Sequence, residues 1–426
     1  MSTIKDKIEA VKAAIVKRPL YCNGVVRLDA KSSKIFYEKE DHTAGVLSVA
    51  SANATQLEDL NKSCLPATFG LSSKDVYDES YRKARKMDVE NFAINFDLHA
   101  FGIIDAIRKE LLEGPNPEKV IKAELYKLNV YDEGSFFKAH KDTPRSENMF
   151  GSLVISFPTP HQGGKLLLRH DGEEWAFDSA DILSKYEAPF AAWIAFYSDV
   201  EHEVTPVVSG HRVTLTYNLF YGEENEIPRD LGTLQDSSFA TQSFILQTAI
   251  ASLLQDDRVL PKGGYLGFGL RFMYPAFGRK GTSGLQNVLT QLKGSDALLK
   301  HVCDTLSLSI TLEVVLKSSE EPCLVLVPEA LDFSGTEVDS SWEWFLSDKG
   351  AKKVYDWESP HTSWRYETIM WITPPTVFPT YDSPYVAYGN EAVLSHVYGD
   401  ICLVARLGPI NRRETAGRPA SPGYSM

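Results

Sequence analysis

The sequence predicts an α+β protein: a sandwich or barrel of short antiparallel strands, helices before it, and a mixed α/β extension or second domain after it. Three observations predict this. Apolar residues recur at helical spacing within the first 120 residues. From residue 121 short runs rich in β-branched and aromatic residues are separated by Gly, Pro, Asp and Ser. Beyond residue 222 helix and strand candidates are mixed. The central runs IKAELYKLNVY, GSLVISF, GGKLLLRH, EEWAFD, AAWIAFYSD and HRVTLTYNLFY carry the signature of an antiparallel sandwich or barrel rather than of alternating βα units.

Taken in order, residues 4–17 place Ile8, Val11 and Ile15 at helical spacing, and residues 21–50 hold two or three strands. Helical patterns follow near 53–62, 79–86 and 99–113. In the last, Phe101, Ile104, Ile107, Leu111 and Leu112 share a face, and Gly114-Pro115 ends it. Residues 1–120 thus form a support region and 121–222 the core. The acidic GEENEIPRD connects to a mixed domain over 223–408. There a helix is expected at 240–254, a strand in GGYLGFGLRFMY, and strands at 308–317, 322–327, 366–373 and 400–406. A degenerate second barrel is one reading of that domain. The polar residues 409–426 read as a disordered tail.

At 426 residues the chain has length for two domains, and 43% hydrophobic with 24% charged residues is ordinary for a globular protein. A net charge of -13 argues against general nucleic-acid binding, which needs a basic surface to displace counterions. Cys22, Cys64, Cys303, Cys323 and Cys402 are odd in number and form no C-x-x-C pair, so buried free thiols are expected. No signal peptide or membrane-spanning run is legible, which points to the cytoplasm, with the nucleus also open. Oligomeric state is left open.

Among ten histidines, only His140 belongs to an H-x-D or H-x-E tripeptide, His140-Lys141-Asp142. On extended backbone, positions i and i+2 face the same side, so both side chains can bind one ion. Alone, the tripeptide reads equally well as a surface His beside an exposed Asp. A third candidate, His202, lies 60 residues beyond Asp142 in SDVEHEV. Two imidazoles and one carboxylate form the facial set used by mononuclear non-haem iron. Arg212 follows 10 residues after His202, and strand alternation puts Arg212, Thr214 and Thr216 on one face. A guanidinium there, with a threonine hydroxyl, can bind a carboxylate; taken singly, an interstrand ion pair is the better explanation, and Arg212 gains weight only from its distance to His202.

The stretches LYKLNVYDEGSFFKAHKDTPRS, GSLVISFPTPHQGGKLLL and AFYSDVEHEVTPVVSGHRVTLTYNL resemble the 2-oxoglutarate/Fe(II) dioxygenase superfamily, in its prolyl 4-hydroxylase-like branch. Tyr131, Gly134, Phe137, His140, Asp142, Gly163, Gly164, His202 and Arg212 carry the resemblance, which covers about residues 121–221. It implies a double-stranded β-helix (jelly-roll) core, with Fe(II) on His140, Asp142 and His202. Cosubstrate 2-oxoglutarate would pair with Arg212, with Thr214 and Tyr131 as further contacts. O2 is the oxidant, and ascorbate an added reductant the family allows. The implied reaction hydroxylates a C–H bond of a peptidyl residue or small metabolite, releasing succinate and CO2. Prolyl hydroxylases commonly carry Lys where this chain has Arg212, so proline is not singled out. Asp142 speaks against a halogenase, in which that carboxylate is replaced.

Two other classes remain at this stage: a silent scaffold whose residues 223–408 bind a partner, and a cupin-like zinc or manganese protein. His211 is expected to face away from the site, His161 and His170 to be loop residues. Trp175 and Trp193 are read as core, with pocket lining a second option for Trp193. Trp342, Trp344 and Phe345 are expected to pack the second domain. GGYLGFG lacks the Lys-Ser/Thr of a phosphate loop and the G-x-G-x-x-G spacing of a dinucleotide site.

Overall fold

The structure is a computed structural model that describes residues 2–15, 20–71, 74–112, 120–142, 146, 148–170, 172–222, 237–272, 274, 285–318, 321–330, 337–338, 346–347, 349–359, 367–375, 380–387, 393–410 and 413. It is mixed α/β and rich in sheet. Two compact units are present, one of Pro19–Leu112 with Asn116–Leu231, the other of Met1–Arg18, Glu113–Pro115 and Gly232–Met426.

In the first unit, seven strands run in the order Tyr21–Arg27, Phe190–Tyr197, Met149–Ser156, Arg212–Tyr221, Ile121–Tyr131, Arg85–Asp88 and Leu65–Pro66. A five-stranded sheet has the order Glu173–Phe177, Leu166–His170, Glu201–Val204, Phe136–His140 and Arg82–Lys83. Every pairing in both is antiparallel. Period-two alternation explains the core: Leu153 and Ile155 with Val213 and Leu215 are buried. Each such side chain contributes about 1.5–3 kcal/mol by leaving water. Trp193 packs over Gly24, where a Cβ would lie 2.9 Å from the indole, so its role is packing within the sheet.

The helices follow their local chemistry. Ala54–Ser63 starts with a capping box between Asn53 and Gln56. Ile103–Glu110 buries Ile103, Ile104 and Ile107. The helical pattern near 79–86 is overturned. Arg82–Lys83 and Arg85–Asp88 are strands, because each finds a ladder, on Phe136–Phe137 and on Lys127–Val130 respectively. Pairing in two sheets outweighs a short periodicity. His161 and His170 also differ from expectation, lying in the strands His161–Gly163 and Leu166–His170 rather than in a loop.

In the second unit, helix Ile4–Ala14 is capped by Thr3 and Asp6 and buries Ile8, Val11 and Ala14. Helices Ser237–Leu254 and Gly294–Thr305 accompany an eight-stranded sheet. Strand Gly264–Gly269 pairs in parallel with Glu367–Thr373 and antiparallel with Val393–Leu407, so six of those strands close into a ring. Tyr265, Val315, Leu326, Val354, Ile369, Cys402 and Val404 form a core cluster there. GGYLGFG is therefore strand. All five cysteines are free and buried. Among the described residues no helix is long and apolar enough to cross a membrane. Gly114-Pro115, most of the GEENEIPRD connector, the aromatic residues Trp342, Trp344 and Phe345, and the tail beyond Arg413 lie outside the described residues.

Candidate metal centre

His140 closes the strand Phe136–His140, and His202 sits within Glu201–Val204, directly opposite it in the ladder. Asp142 follows two residues later. Each of the three offers one ligand atom, and these atoms all lie within 4.8 Å of one another. His202 Nε2 is 3.7 Å from Asp142 Oδ1.

The ring orientations follow from local backbone. His140 Nδ1 lies 2.8 Å from the Lys138 carbonyl, and His202 Nδ1 lies 3.1 Å from the Val200 carbonyl. A carbonyl only accepts, so in each ring Nδ1 carries the hydrogen and Nε2 keeps the lone pair a metal needs. Ser152 Oγ donates to Asp142 Oδ2 at 2.5 Å and fixes the carboxylate. Phe137 stacks on His140 at 3.6 Å, His140 and His202 are 4.1 Å apart, and Phe196 lies 4.8 Å from His202. Burial, and then the neighbouring His202, push His140 down to about 3, against the pull of Asp142. A neutral imidazole is the ligand form. Two imidazoles and a carboxylate, with no fourth His, Cys, Asp or Glu among the described residues, suit an open facial site rather than a closed structural one.

Arg212 begins the long strand Arg212–Tyr221, opposite Tyr131; Thr214 is opposite Asn129. Arg212, Thr214 and Thr216 line the same cavity as His140, Asp142 and His202. Arg212 is 2% exposed and makes no hydrogen bond to a described residue, and its Nε is buried without a partner. Its guanidinium carbon lies 5.4 Å from the centre of the Tyr131 ring. Burial lowers its pKa from the ordinary value, while Tyr131 and then Asp178 oppose this. An isolated cation in such a place is costly unless an anion meets it.

The Gly163-Gly164 pair makes room for that side chain. Both residues take positive φ, 75° and 66°, and a Cβ on Gly164 would stand 2.9 Å from Arg212 Cδ. On Gly163 it would stand 2.5 Å from the Pro206 carbonyl oxygen.

All six proposed site residues, His140, Asp142, His202, Tyr131, Arg212 and Thr214, meet at this cavity. His211 does not join it, its Nε2 lying 3.3 Å from Glu58 Oε2; His161 Nδ1 faces the Thr159 carbonyl at 2.8 Å. Sequence reasoning missed Ser152, Asn129, Lys127 and Arg82, which also line the cavity. Alternation back from Tyr131 puts Asn129 and Lys127 on its face, a signal that was available. Arg82 left none.

Residues 126–220 match the model of a family described as the 2OG-Fe(II) oxygenase superfamily, over the stretch that carries the motif resemblance. That family implies Fe(II), 2-oxoglutarate and O2. No curated protein matches the chain. Among solved structures, a Pseudomonas putida prolyl-4-hydroxylase is 17% identical, covering 51% of this chain and 100% of its own, with a TM-score of 0.29. A Trichoplax adhaerens prolyl hydroxylase, in complex with a hypoxia inducible factor peptide fragment, is 16% identical over 53% and 96%, with a TM-score of 0.31. A structure of prolyl 4-hydroxylases from Phytophthora capsici is 14% identical over 69% and 83%, with a TM-score of 0.24.

Proposed function

We propose that this chain, which carries a 2OG-Fe(II) oxygenase match at residues 126–220, is a 2-oxoglutarate-dependent dioxygenase. It hydroxylates a C–H bond of a peptidyl residue or a small metabolite. The core is a double-stranded β-helix, a reading supported by the four-strand order at the heart of each antiparallel sheet. One observation carries the functional reading: a buried guanidinium that forms no ion pair with any described residue shares a cavity with a His-Asp-His set.

In balance, one oxygen atom of O2 enters succinate as 2-oxoglutarate loses CO2, and the other enters the new C–OH. Fe(II), when bound, supplies the redox chemistry that ties these two oxidations together. The chain's own residues bind and orient. His140, His202 and Asp142 hold the metal, with Ser152 aiming the carboxylate. Arg212 takes the distal carboxylate of 2-oxoglutarate, with the Thr214 hydroxyl as a further donor and Tyr131 beside it. The buried apolar rings Phe137 and Phe196 keep water from the metal-facing wall.

The test is succinate formation by the purified chain, loaded with Fe(II) without oxygen and then exposed to it, with His140→Ala alongside. Slow substrate-free turnover that vanishes in the variant supports the reading. A protein that neither turns over nor binds 2-oxoglutarate in its Fe(II) form sinks it.

A further inference from the structure

The cavity holds more positive charge than a metal and its cosubstrate use. Among the described residues its lining includes three cationic side chains, Arg82, Lys127 and Arg212, and a single carboxylate, Asp142. All three cations are nearly out of water, at 8%, 7% and 2% exposure. None forms an ion pair with a described residue. Lys127 makes no hydrogen bond to a described residue, and its one contact of note puts Nζ 4.4 Å from the centre of the Tyr126 ring. Arg82 donates through Nη1 to the Thr68 carbonyl at 2.7 Å and through Nη2 to Asn129 Oδ1 at 3.0 Å, both neutral partners. Its Nε is buried and unpaired. Chains seldom bury unpaired charge for structure alone, because removing it from water is costly.

A charge count separates these cations from the cosubstrate. On the oxygenase reading, two positive charges on the metal and one on Arg212 are met by Asp142 and by the two carboxylates of 2-oxoglutarate. Lys127 and Arg82 are left over. They also enter from elsewhere. Tyr131 faces Arg212 across the ladder, whereas Lys127 faces Thr216, four residues back along the strand. At about 3.3 Å per residue that separates the backbone positions by roughly 13 Å. Arg82 approaches the metal side, its guanidinium carbon 4.3 Å from the centre of the Phe137 ring, and Phe137 in turn stacks on His140.

We propose that the molecule hydroxylated at this centre is an anion, bearing a carboxylate or phosphate group that Lys127 and Arg82 bind. This rests on the oxygenase reading and adds the substrate's charge class to it. Lys127 supplies a compact ammonium that suits either group, and Arg82 brings a second charge beside the metal ligands. Neutral substrates leave both cations desolvated and unmet.

The test uses the full chain loaded with Mn(II) and saturated with 2-oxoglutarate. It is titrated with inorganic phosphate, with N-acetyl-aspartate and its diamide, and with a blocked Ala-Glu-Ala peptide and its Gln counterpart. Binding is read from the Mn(II) resonance line shape and from the thermal midpoint. Anionic members should bind and neutral ones should not; the acetyl-amino-acid and peptide arms separate metabolite from protein as the source. Lys127→Met and Arg82→Gln should each weaken anion binding about tenfold or more, a change of about 1.4 kcal/mol, while both still bind 2-oxoglutarate. Lys127→Met should also raise the midpoint of the ligand-free protein, since an unpaired buried charge is gone. Equal binding of neutral members, no binding of any anion, or loss of 2-oxoglutarate binding in the variants overturns the proposal. Should the wild type itself fail to bind 2-oxoglutarate, the oxygenase reading falls, and the phosphate response of the Mn(II) form with its loss in Lys127→Met still decides the anion site.

Discussion

Replacing Gly164 by Ala isolates the contact that seats Arg212, the proposed cosubstrate anchor. Gly164 has φ 66°, and the new Cβ would stand 2.9 Å from both Arg212 Cδ and Val207 Cγ2. Left-handed backbone costs a non-glycine residue about 1–2 kcal/mol. Reduced freedom of the unfolded chain returns about 0.4–1 kcal/mol of that. Gly172→Ala is the matched control: its φ is 77°, yet nothing lies within 4 Å of its added Cβ. Both variants should therefore lose about 1 kcal/mol, or roughly 2–4 °C in the melting of a unit this size.

Only Gly164→Ala should disturb Arg212. Ordinary carbon contacts lie at about 3.5–4.0 Å, so the side chain must shift by several tenths of an ångström. Loss of one charge-assisted hydrogen bond of about 1.5–3 kcal/mol would then weaken 2-oxoglutarate about 10- to 150-fold. Calorimetric titration of the Mn(II)-loaded chain measures this, and metal affinity should stay as in the wild type. If Gly164→Ala binds 2-oxoglutarate as tightly as Gly172→Ala does, Arg212 is not the anchor.

Ser152→Ala removes the hydrogen bond to Asp142 Oδ2 and should weaken metal binding about 10–100-fold while leaving the fold intact; Mn(II) titration checks it, and unchanged affinity would mean that Asp142 is held otherwise. Arg212→Lys keeps the charge but loses the planar fork, so 2-oxoglutarate affinity should fall about tenfold with metal affinity unchanged, again by calorimetry. In the second unit, burial pushes Asp296 up to about 7, against the Arg271 amide, the Tyr274 hydroxyl and the Phe272 amide that donate to it. Between about pH 4 and 7 the folded state then holds a proton that the unfolded state has lost. Stability should fall as pH rises across that window, by up to about 1.4 kcal/mol per pH unit, and Asp296→Asn should flatten the slope. Urea unfolding at pH 5 and pH 8 tests this, and a wild-type curve that rises with pH refutes it.

The first half of the candidate metal set was legible because His140 and Asp142 stand two residues apart on extended chain. His140 and Asp142 share a side by alternation, and Arg212, Thr214 and Thr216 share another by the same rule, so no tertiary knowledge was needed to group them. What joins the groups is register: His140 opposite His202, Tyr131 opposite Arg212. No residue type announces register. Two-residue strands such as Arg82–Lys83 have no period of their own, so residues 79–86 read as helix. Their conformation is set by the partner strand, and Arg82 reaches the cavity only through that pairing. Lys127 was legible from one end only. Counting back by twos from Tyr131 places it correctly, but a register shift between Leu125 and Lys127 breaks the alternation, so a reader counting from Ile121 places it on the wrong face.

The position of Lys127 bears on what composition can say. A net charge of -13 argues against general nucleic-acid binding, and the same long-range repulsion acts on any anion near the surface over about a Debye length. Inside a cavity walled by low-dielectric side chains the sum over the whole chain matters less than the few charges in the lining. Here those are Arg82, Lys127 and Arg212 against Asp142. An acidic exterior around a basic cavity has a kinetic corollary. Raising salt from about 10 mM to 150 mM shortens the Debye length from roughly 30 to 8 Å, screening the exterior while desolvated contacts inside are screened less. Association of an anionic cosubstrate should then quicken with salt, the opposite of what a basic surface would produce.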